Sequence, residues 1–161
     1  MEYVATQYVF TTRWQIKAPL PQVWNAIEDS LNWPNWWKGV IAVNELEKGD
    51  MQGVGGVRSY TWRSILPYRL AFYMQLTELE KYKRLKGIAS GELEGEGEWL
   101  FEEQNGITHI HYHWTVFTNK SWMNHWAFLL KPMFSYNHDV VMRWGAKGLA
   151  RQLQAELVSY Q

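Results

Sequence analysis

Three histidines alternate with other residues in the segment THIHYHW, residues 108–114, and imidazole rings can bind metals or move protons near neutral pH. In an extended strand, neighbouring side chains point to opposite faces, so His109, His111 and His113 share one face. At about 3.4 Å per residue, His109 and His113 lie about 14 Å apart, too far to share one tetrahedral zinc. The pattern therefore indicates a solvated outer face.

Carboxylates leave one alternative open for these histidines. Glu98 and Glu102 share the outward face of the preceding predicted strand. Two neighbouring histidines and one of these carboxylates could hold a metal ion. A solvated row of histidines needs no ion, so the favoured prediction includes no metal and no cofactor.

Proton-transfer and anion-binding side chains are predicted on inward faces. His138 and Tyr112 are the candidate catalytic groups, because both are expected to face the interior. The alternative for His138 is a core histidine that is hydrogen-bonded to a backbone carbonyl or to Tyr112. Arg58 shares a face with Tyr60 and Trp62, where it either anchors a ligand carboxylate or carbonyl or lies in water at the sheet edge. The edge position is the favoured interpretation.

Charge and cysteine content exclude several classes of function. Sixteen basic and sixteen acidic side chains cancel, and cysteine is absent. Without net charge there is no overall attraction to nucleic acid or to an anionic membrane, so neither is expected as a partner. The N-terminus lacks a signal-peptide pattern and no apolar run is long enough to form an integral membrane segment, which predicts a cytoplasmic protein.

Aromatic residues are unusually frequent, with eleven Trp, nine Tyr and six Phe in 161 residues. Trp and Tyr combine a large apolar body with a polar tip, which suits the wall of a ligand pocket. A bulky core with an exposed patch for association would explain the composition equally well.

Hydrophobic periodicity predicts one domain over residues 1–161 that begins with a strand and two short helices. Tyr8–Ile16 alternates as a half-buried strand does. Pro21 then begins a short helix, and a second short helix is predicted within Asn32–Gly39, whose tryptophans pack the helices on a sheet.

Six further strands are predicted from a period of two, with the Asn105-Gly106 pair as a strong hairpin signal. Glycines in and beside the fifth and sixth strands indicate a strongly curved sheet. The predicted bounds are Val40–Glu47, Val57–Arg63, Tyr68–Glu80, Arg84–Gly91, Glu96–Gln104 and Ile107–Thr118.

A helical period returns after residue 120. Ser121 is predicted to cap a short helix over Trp122–Leu130, and Pro132 to begin a longer helix that reaches about Leu157. The inward stripe of the longer helix reads Phe134, His138, Val141, Met142, Gly145, Leu149 and Leu153.

This order of elements resembles the helix-grip fold of the START-related polyketide cyclase/dehydrase and lipid-transport superfamily (SRPBCC). The resemblance is carried by the opening strand leading into Ala18-Pro19, by Trp33-Pro34 and Trp36-Trp37, by Gly106-Ile107-Thr108 and by the closing helix. It implies an α+β fold in which a curved seven-stranded antiparallel sheet wraps around a long C-terminal helix. It also implies an internal cavity for apolar or aromatic molecules, which some members transport and others cyclise or dehydrate.

The leading prediction is binding, with transport as an extension, of a small hydrophobic or aromatic molecule in that cavity. One alternative is a cyclase or dehydratase that acts on a polyketide-like substrate. A second is a protein-interaction module with a filled cavity, and a homodimer stays open. The predicted ligand-binding residues are Trp14, Arg58, Tyr60, Trp62, Phe72, Met74, Trp99, Phe101, Tyr112, Trp114, Phe134, His138, Val141 and Met142.

Overall fold

The computed structural model describes residues 5–118 and 120–161. The strands are β1 Gln7–Lys17, β2 Val40–Glu47, β3 Val57–Arg63, β4 Arg69–Glu80, β5 Arg84–Gly91, β6 Leu93–Gln104, β7 Ile107–Thr118 and β8 Glu156–Tyr160. They form one antiparallel sheet with the order β2-β3-β4-β5-β6-β7-β1-β8. Register shifts in the β1–β8, β2–β3 and β4–β5 pairs mark bulges, which bend a sheet.

The first seven strands confirm the predicted alternation closely. Four of them, β2, β3, β5 and β7, have the predicted bounds, while β6 begins three residues earlier, at Leu93. Asn105 and Gly106 have φ values of 53° and 79°, as the tight turn between β6 and β7 requires.

The eighth strand corrects the predicted count of seven. The long helix ends at Gln152, so Leu157 lies in β8 and not at the end of the helix. β8 pairs with β1 and extends the sheet by one strand at that edge.

The helices differ from the prediction mainly in type and in their starts. The helix after β1 is α1, Leu20–Glu28, and its buried residues are Val23, Trp24 and Ile27. The second element is a 3₁₀ helix, Ser30–Asn35, and it ends before Gly39. α2 covers Ser121–His125 with Lys120, not Ser121, at its N-cap, and α3 covers Ala127–Gln152 with Pro132 inside it. No helix within residues 5–118 or 120–161 is long and apolar enough to cross a bilayer.

The core holds α3 against the sheet through a tryptophan cluster. Trp37 is almost fully buried, and its indole N–H donates a hydrogen bond to the carbonyl oxygen of Val141 in α3 at 2.9 Å. Trp14 of β1 packs edge-on against Trp37. The absence of a side chain at Gly145 allows this approach, because a Cβ there would lie 2.6 Å from Cζ2 of Trp37. The Trp33–Trp37 segment therefore ties the long helix to the sheet.

Candidate ligand-binding site

Two cavities lie against the inner face of the sheet. The first, which we name the apolar chamber, has a volume of about 160 Å³ and lies beside α3. The second, the polar chamber, has a volume of about 380 Å³ and lies beside α1 and the β2–β3 loop. Five aromatic side chains line both chambers and form the wall between them: Trp33, Trp62, Phe72, Trp99 and Tyr112.

The apolar chamber is lined almost entirely by rings and aliphatic groups. β1 contributes Tyr8 and Phe10, β7 contributes Trp114, and α3 contributes Phe134 and Met142. No Asp, Glu, Lys or Arg is among the described residues that line this chamber. A cavity of about 150 Å³ with an apolar lining can hold a benzene ring, so the chamber has room for a small aromatic group.

Four residues that line the apolar chamber each have a buried side-chain polar atom that lacks a hydrogen-bond partner within the described ranges. These atoms are the Tyr8 hydroxyl, the Trp62 indole N–H, Oδ1 of Asn137 and Nδ1 of His138. An unpaired buried polar group costs about 1–3 kcal/mol, so most such groups in folded proteins find a partner. These donors and acceptors become available to a molecule in the chamber only when their side chains rotate toward it.

His138 is held on the α3 side of the apolar chamber as a neutral ring. Its imidazole stacks on the Phe10 ring, with the centroids 4.1 Å apart and the planes 10° from parallel. Burial lowers the pKa of His138 from 6.5 to about 4. Nδ1 has no hydrogen-bond partner among the described residues, so it does not form the predicted bond of a structural histidine to a backbone carbonyl or to Tyr112.

Tyr112 belongs to the aromatic wall. Its ring stacks on Trp99, with the centroids 4.1 Å apart. Burial raises the pKa of Tyr112, and the neighbouring Tyr60 raises it further. The phenol therefore stays protonated at neutral pH and is a hydrogen-bond donor, not an anion.

Arg58 lies in the polar chamber in a hydrogen-bond network. One guanidinium nitrogen, Nη1, donates to the carbonyl oxygen of Glu28 at 3.1 Å and to the Ser30 hydroxyl at 2.7 Å. The Ser30 hydroxyl is also bonded to the Tyr60 hydroxyl at 2.7 Å. Arg58 is half-buried and held by these hydrogen bonds, which differs from the favoured interpretation of an arginine that lies in water at the sheet edge.

The predicted ligand-binding residues fall into three groups. Trp114, Phe134, His138, Val141 and Met142 line the apolar chamber, together with the shared wall residues Trp62, Phe72, Trp99 and Tyr112. Arg58, Tyr60 and Met74 line the polar chamber. Trp14 and Phe101 line neither chamber, because they are buried in the core between the sheet and the short helices.

Several lining residues were not predicted. Tyr8, Val116 and Thr118 share a face with Phe10 or Trp114, so strand alternation could have identified them. Tyr68 precedes β4 but has the same parity as Phe72, so alternation could have identified it as well. Trp33 and Met123 come from a 3₁₀ helix and a short helix, where period alone gives no inward direction.

The three histidines of β7 lie on the face opposite Tyr112 and Trp114, as predicted. The partners of His109 and His113 on β6 are Glu102 and Glu98. Burial lowers the pKa of His111, and the charge of Arg13 on β1 lowers it further. Across residues 5–118 and 120–161, no group of three or more His, Cys, Asp or Glu residues is placed to hold a metal ion.

Comparisons with known proteins identify similar folds but no close relative. No family model and no curated protein matches the sequence. The Zhui aromatase/cyclase from Streptomyces sp. R1128 is 12% identical, with a TM-score of 0.75 over 92% of this chain and 94% of that chain. TTHA0849 from Thermus thermophilus is 13% identical, with a TM-score of 0.70 over 90% of this chain and 99% of that chain. Ara h 8.0201 is 11% identical, with a TM-score of 0.59 over 90% of this chain and 99% of that chain.

Proposed function

From the helix-grip fold that this chain shares with the polyketide cyclase and START-like superfamily, we propose that the protein binds a small aromatic molecule in the apolar chamber. The ligand carries hydroxyl or carbonyl oxygens on a flat apolar body. Its rings pack among the aromatic lining, and its oxygens pair with Asn137, His138, Tyr8 and Trp62 after small side-chain rotations.

The observation that carries this proposal is the set of four unpartnered polar atoms in residues that line the apolar chamber. A purely structural core would be more stable with apolar groups at these positions, because each unpaired group is penalised. A ligand that becomes their hydrogen-bond partner recovers this free energy on binding. Asn137 is the most informative of the four, because its amide can pair with either a donor or an acceptor.

Affinity in this proposal comes from burial of the ligand rings. Removal of about 150 Å² of apolar ligand surface from water contributes roughly 4 kcal/mol at about 25 cal/mol per Å², before the losses of motion on binding. The absence of charged side chains among the described lining residues selects uncharged ring systems, since an unpaired carboxylate would be strongly disfavoured there.

The polar chamber extends the site on the other side of the aromatic wall. Arg58 keeps guanidinium N–H groups that are not used by Glu28 and Ser30, and these can pair with a carbonyl or carboxylate. A longer ligand would place its ring in the apolar chamber and its oxygenated end beside Arg58, once the Trp62 or Tyr112 side chain moves.

A fluorescence titration tests the proposed binding. We expect 1-naphthol to quench the tryptophan fluorescence saturably, with one molecule bound per chain. Val141→Phe fills part of the apolar chamber and should weaken this binding at least about tenfold. Val9→Phe is the matched control, because Val9 is exposed on the opposite face of β1.

Two outcomes would contradict the binding proposal. One is the absence of saturable quenching with the wild-type protein. The other is equal binding by wild-type and Val141→Phe proteins, which would place the probe outside the chamber.

A second candidate function is catalysis of cyclisation or dehydration on a polyketide-like substrate. It would use the unpartnered Nδ1 of the neutral His138 ring as the base and the protonated Tyr112 phenol as the donor. This function fits less well than binding, because burial lowers the pKa of His138 to about 4 and makes the ring a weak base at neutral pH. The third alternative, an interaction module with a filled interior, fits less well because about 160 Å³ and 380 Å³ remain open.

The catalytic candidate separates from simple binding through His138→Phe. This variant keeps a flat ring to stack on Phe10 but cannot accept a proton. If the protein catalyses proton transfer, turnover of a poly-β-ketone model substrate should fall at least about a hundredfold, with the binding of 1-naphthol reduced far less. Turnover equal to that of the wild-type protein would exclude His138 as the base.

A further inference from the structure

Exposed apolar side chains lie in α2, in the first turns of α3 and in the turn between β3 and β4, beside the apolar chamber. We call this side of the molecule the α3 end of the chamber. Phe128 is 74% exposed, and Trp122, Trp126 and Leu129 are each about half exposed. Ile65, at the turn between β3 and β4, is also half exposed. The two segments belong together, because Tyr68 packs edge-on against Trp122.

The helical part of this surface is apolar on two sides. Met123 and Phe134 face inward and line the apolar chamber. Leu129, Met133 and Tyr136, spaced by four and three residues, form an exposed outward stripe. Soluble proteins rarely leave a contiguous apolar face open to water, so this one is expected to have a partner.

Most charges around the apolar face are positive, and Glu92, which pairs with Lys120, is the exception. The segments 63–69 and 120–136 contain Arg63, Arg69, Lys120 and Lys131 but no Asp or Glu. Arg63 and Arg69 are direct cross-strand partners, an arrangement of like charges that destabilises a sheet. Neither arginine forms an ion pair with a carboxylate in the described part of the chain, whereas Lys120 contacts Glu92 at 3.0 Å. A partner with negative charge would relieve this repulsion.

We propose that this rim surface docks on an anionic lipid bilayer. It consists of Ile65, Trp122, Trp126, Phe128, Leu129 and Met133 with three cations that pair with no described carboxylate, Arg63, Arg69 and Lys131. Trp side chains favour the headgroup region of a bilayer, while Phe and Leu enter the acyl boundary. The net charge of zero is an average over the chain, and the rim surface is locally cationic.

A second copy of the chain fits this surface less well. A symmetric dimer would bring the same patch of each protomer together, so that the cations of one would face the cations of the other. An anionic bilayer instead pairs the cations with lipid phosphates and covers the apolar face. Docking also places the α3 end of the apolar chamber against the membrane, so that an apolar ligand can pass between them without crossing water.

A vesicle flotation experiment tests this inference independently of any chamber ligand. The probes are vesicles of phosphatidylcholine alone and of phosphatidylcholine mixed with phosphatidylglycerol. We expect the wild-type protein to float with the mixed vesicles, and the bound fraction to fall with added salt. The double variant Phe128→Glu with Leu129→Glu should lose at least about tenfold in partitioning, and Lys131→Gln about fivefold.

The control variant is Ile41→Glu, which makes the same change at an exposed apolar position on β2, outside both chambers. It should float like the wild-type protein. Absence of flotation of the wild-type protein with mixed vesicles, or equal loss in Ile41→Glu, would overturn the proposal. A concentration-dependent dimer that the double variant dissolves, without vesicle binding, would show that a second copy covers the surface instead.

Discussion

The His138 ring of α3 lies flat on the Phe10 ring of β1, with the centroids 4.1 Å apart, while its Nδ1 lacks a partner among the described residues. The contact joins the long helix to the sheet at the apolar chamber and keeps a titratable group out of water. The stability of the fold and the chemistry of the chamber therefore depend on the same side chain.

The buried ring of His138 predicts an acid-dependent loss of stability. The pKa falls from 6.5 to about 4 on folding, so the unfolded chain takes up the proton first as the pH decreases. Above pH 6.5 the burial of His138 does not reduce the free energy of unfolding. As the pH falls from about 6.5 to 4, the free energy of unfolding decreases by up to about 3 kcal/mol. His138→Phe should remove this part of the pH dependence in urea unfolding at pH 7 and pH 4.5. His109→Phe, on the outer face, should keep it, and an unchanged profile for His138→Phe would disprove the assignment.

We expect replacement of Asn137 to raise the stability of the protein but to weaken its binding of ligand. Asn137→Leu removes an unpartnered buried oxygen and introduces a better helix former in α3, so we expect an increase of about 1 kcal/mol in the free energy of unfolding. The same variant should bind 1-naphthol at least about fivefold more weakly, because one partner for its hydroxyl is lost. Thermal unfolding and calorimetry measure the two effects.

Asn124 provides the matched control for Asn137. Its side chain bonds to the Thr6 N–H at 3.1 Å and to the Thr118 carbonyl oxygen at 3.1 Å. Asn124→Leu should therefore destabilise the protein by about 1–3 kcal/mol. Stabilisation by Asn124→Leu, or destabilisation by Asn137→Leu, would contradict the view that Asn137 awaits a ligand.

The close contact between Gly145 of α3 and Trp37 leaves no room for a side chain at position 145. Alanine normally stabilises a helix interior by about 1 kcal/mol relative to glycine. At position 145 the new Cβ would collide with the Trp37 indole, so Gly145→Ala should instead destabilise the protein by about 1–3 kcal/mol. Chemical denaturation measures the difference, with the exposed Lys147→Ala in the same helix as control. A stabilising Gly145→Ala would show that the contact is loose.

We expect replacement of Arg58 to weaken the binding of negatively charged ligands more than that of neutral ones. Arg58→Met removes the donors to the Glu28 carbonyl oxygen and the Ser30 hydroxyl, and we expect a stability loss of about 1–3 kcal/mol. Binding of 1-naphthoic acid, whose carboxylate is expected in the polar chamber, should weaken about tenfold more than binding of 1-naphthol in the apolar chamber, because the carboxylate forms a charged pair with the guanidinium. Equal loss for both ligands in calorimetry would show that Arg58 acts on structure alone.

Strand alternation explains why most of the sheet was predictable. A strand that is buried on one face must place apolar side chains at every second position, and Tyr112 and Trp114 are inward for this reason. The end of the chain gave a conflicting signal: Leu149, Leu153 and Leu157 are spaced by four, as in a helix. The helix ends before Gln154, which adopts a positive φ of 51°. Glycine usually occupies such a position, and its absence here leaves the helix end without its usual sequence signal.

The division of the interior could not be predicted from the sequence. Face assignments place residues inside or outside, but the wall between the chambers depends on the Trp33 ring, which a 3₁₀ helix brings against Trp62 and Trp99. Hydrogen-bond satisfaction also depends on tertiary contacts. Trp37 finds the Val141 carbonyl oxygen, whereas Trp62 finds no partner within the described ranges.

A crystal structure of the protein with 1-naphthol would show directly where the ligand binds. Under the proposed function we expect one naphthol ring in the apolar chamber, packed beside Phe10 and Trp114, with its hydroxyl within hydrogen-bond distance of Asn137 or His138. Clear electron density for the ring at another place, with the apolar chamber empty at saturating ligand, would contradict it.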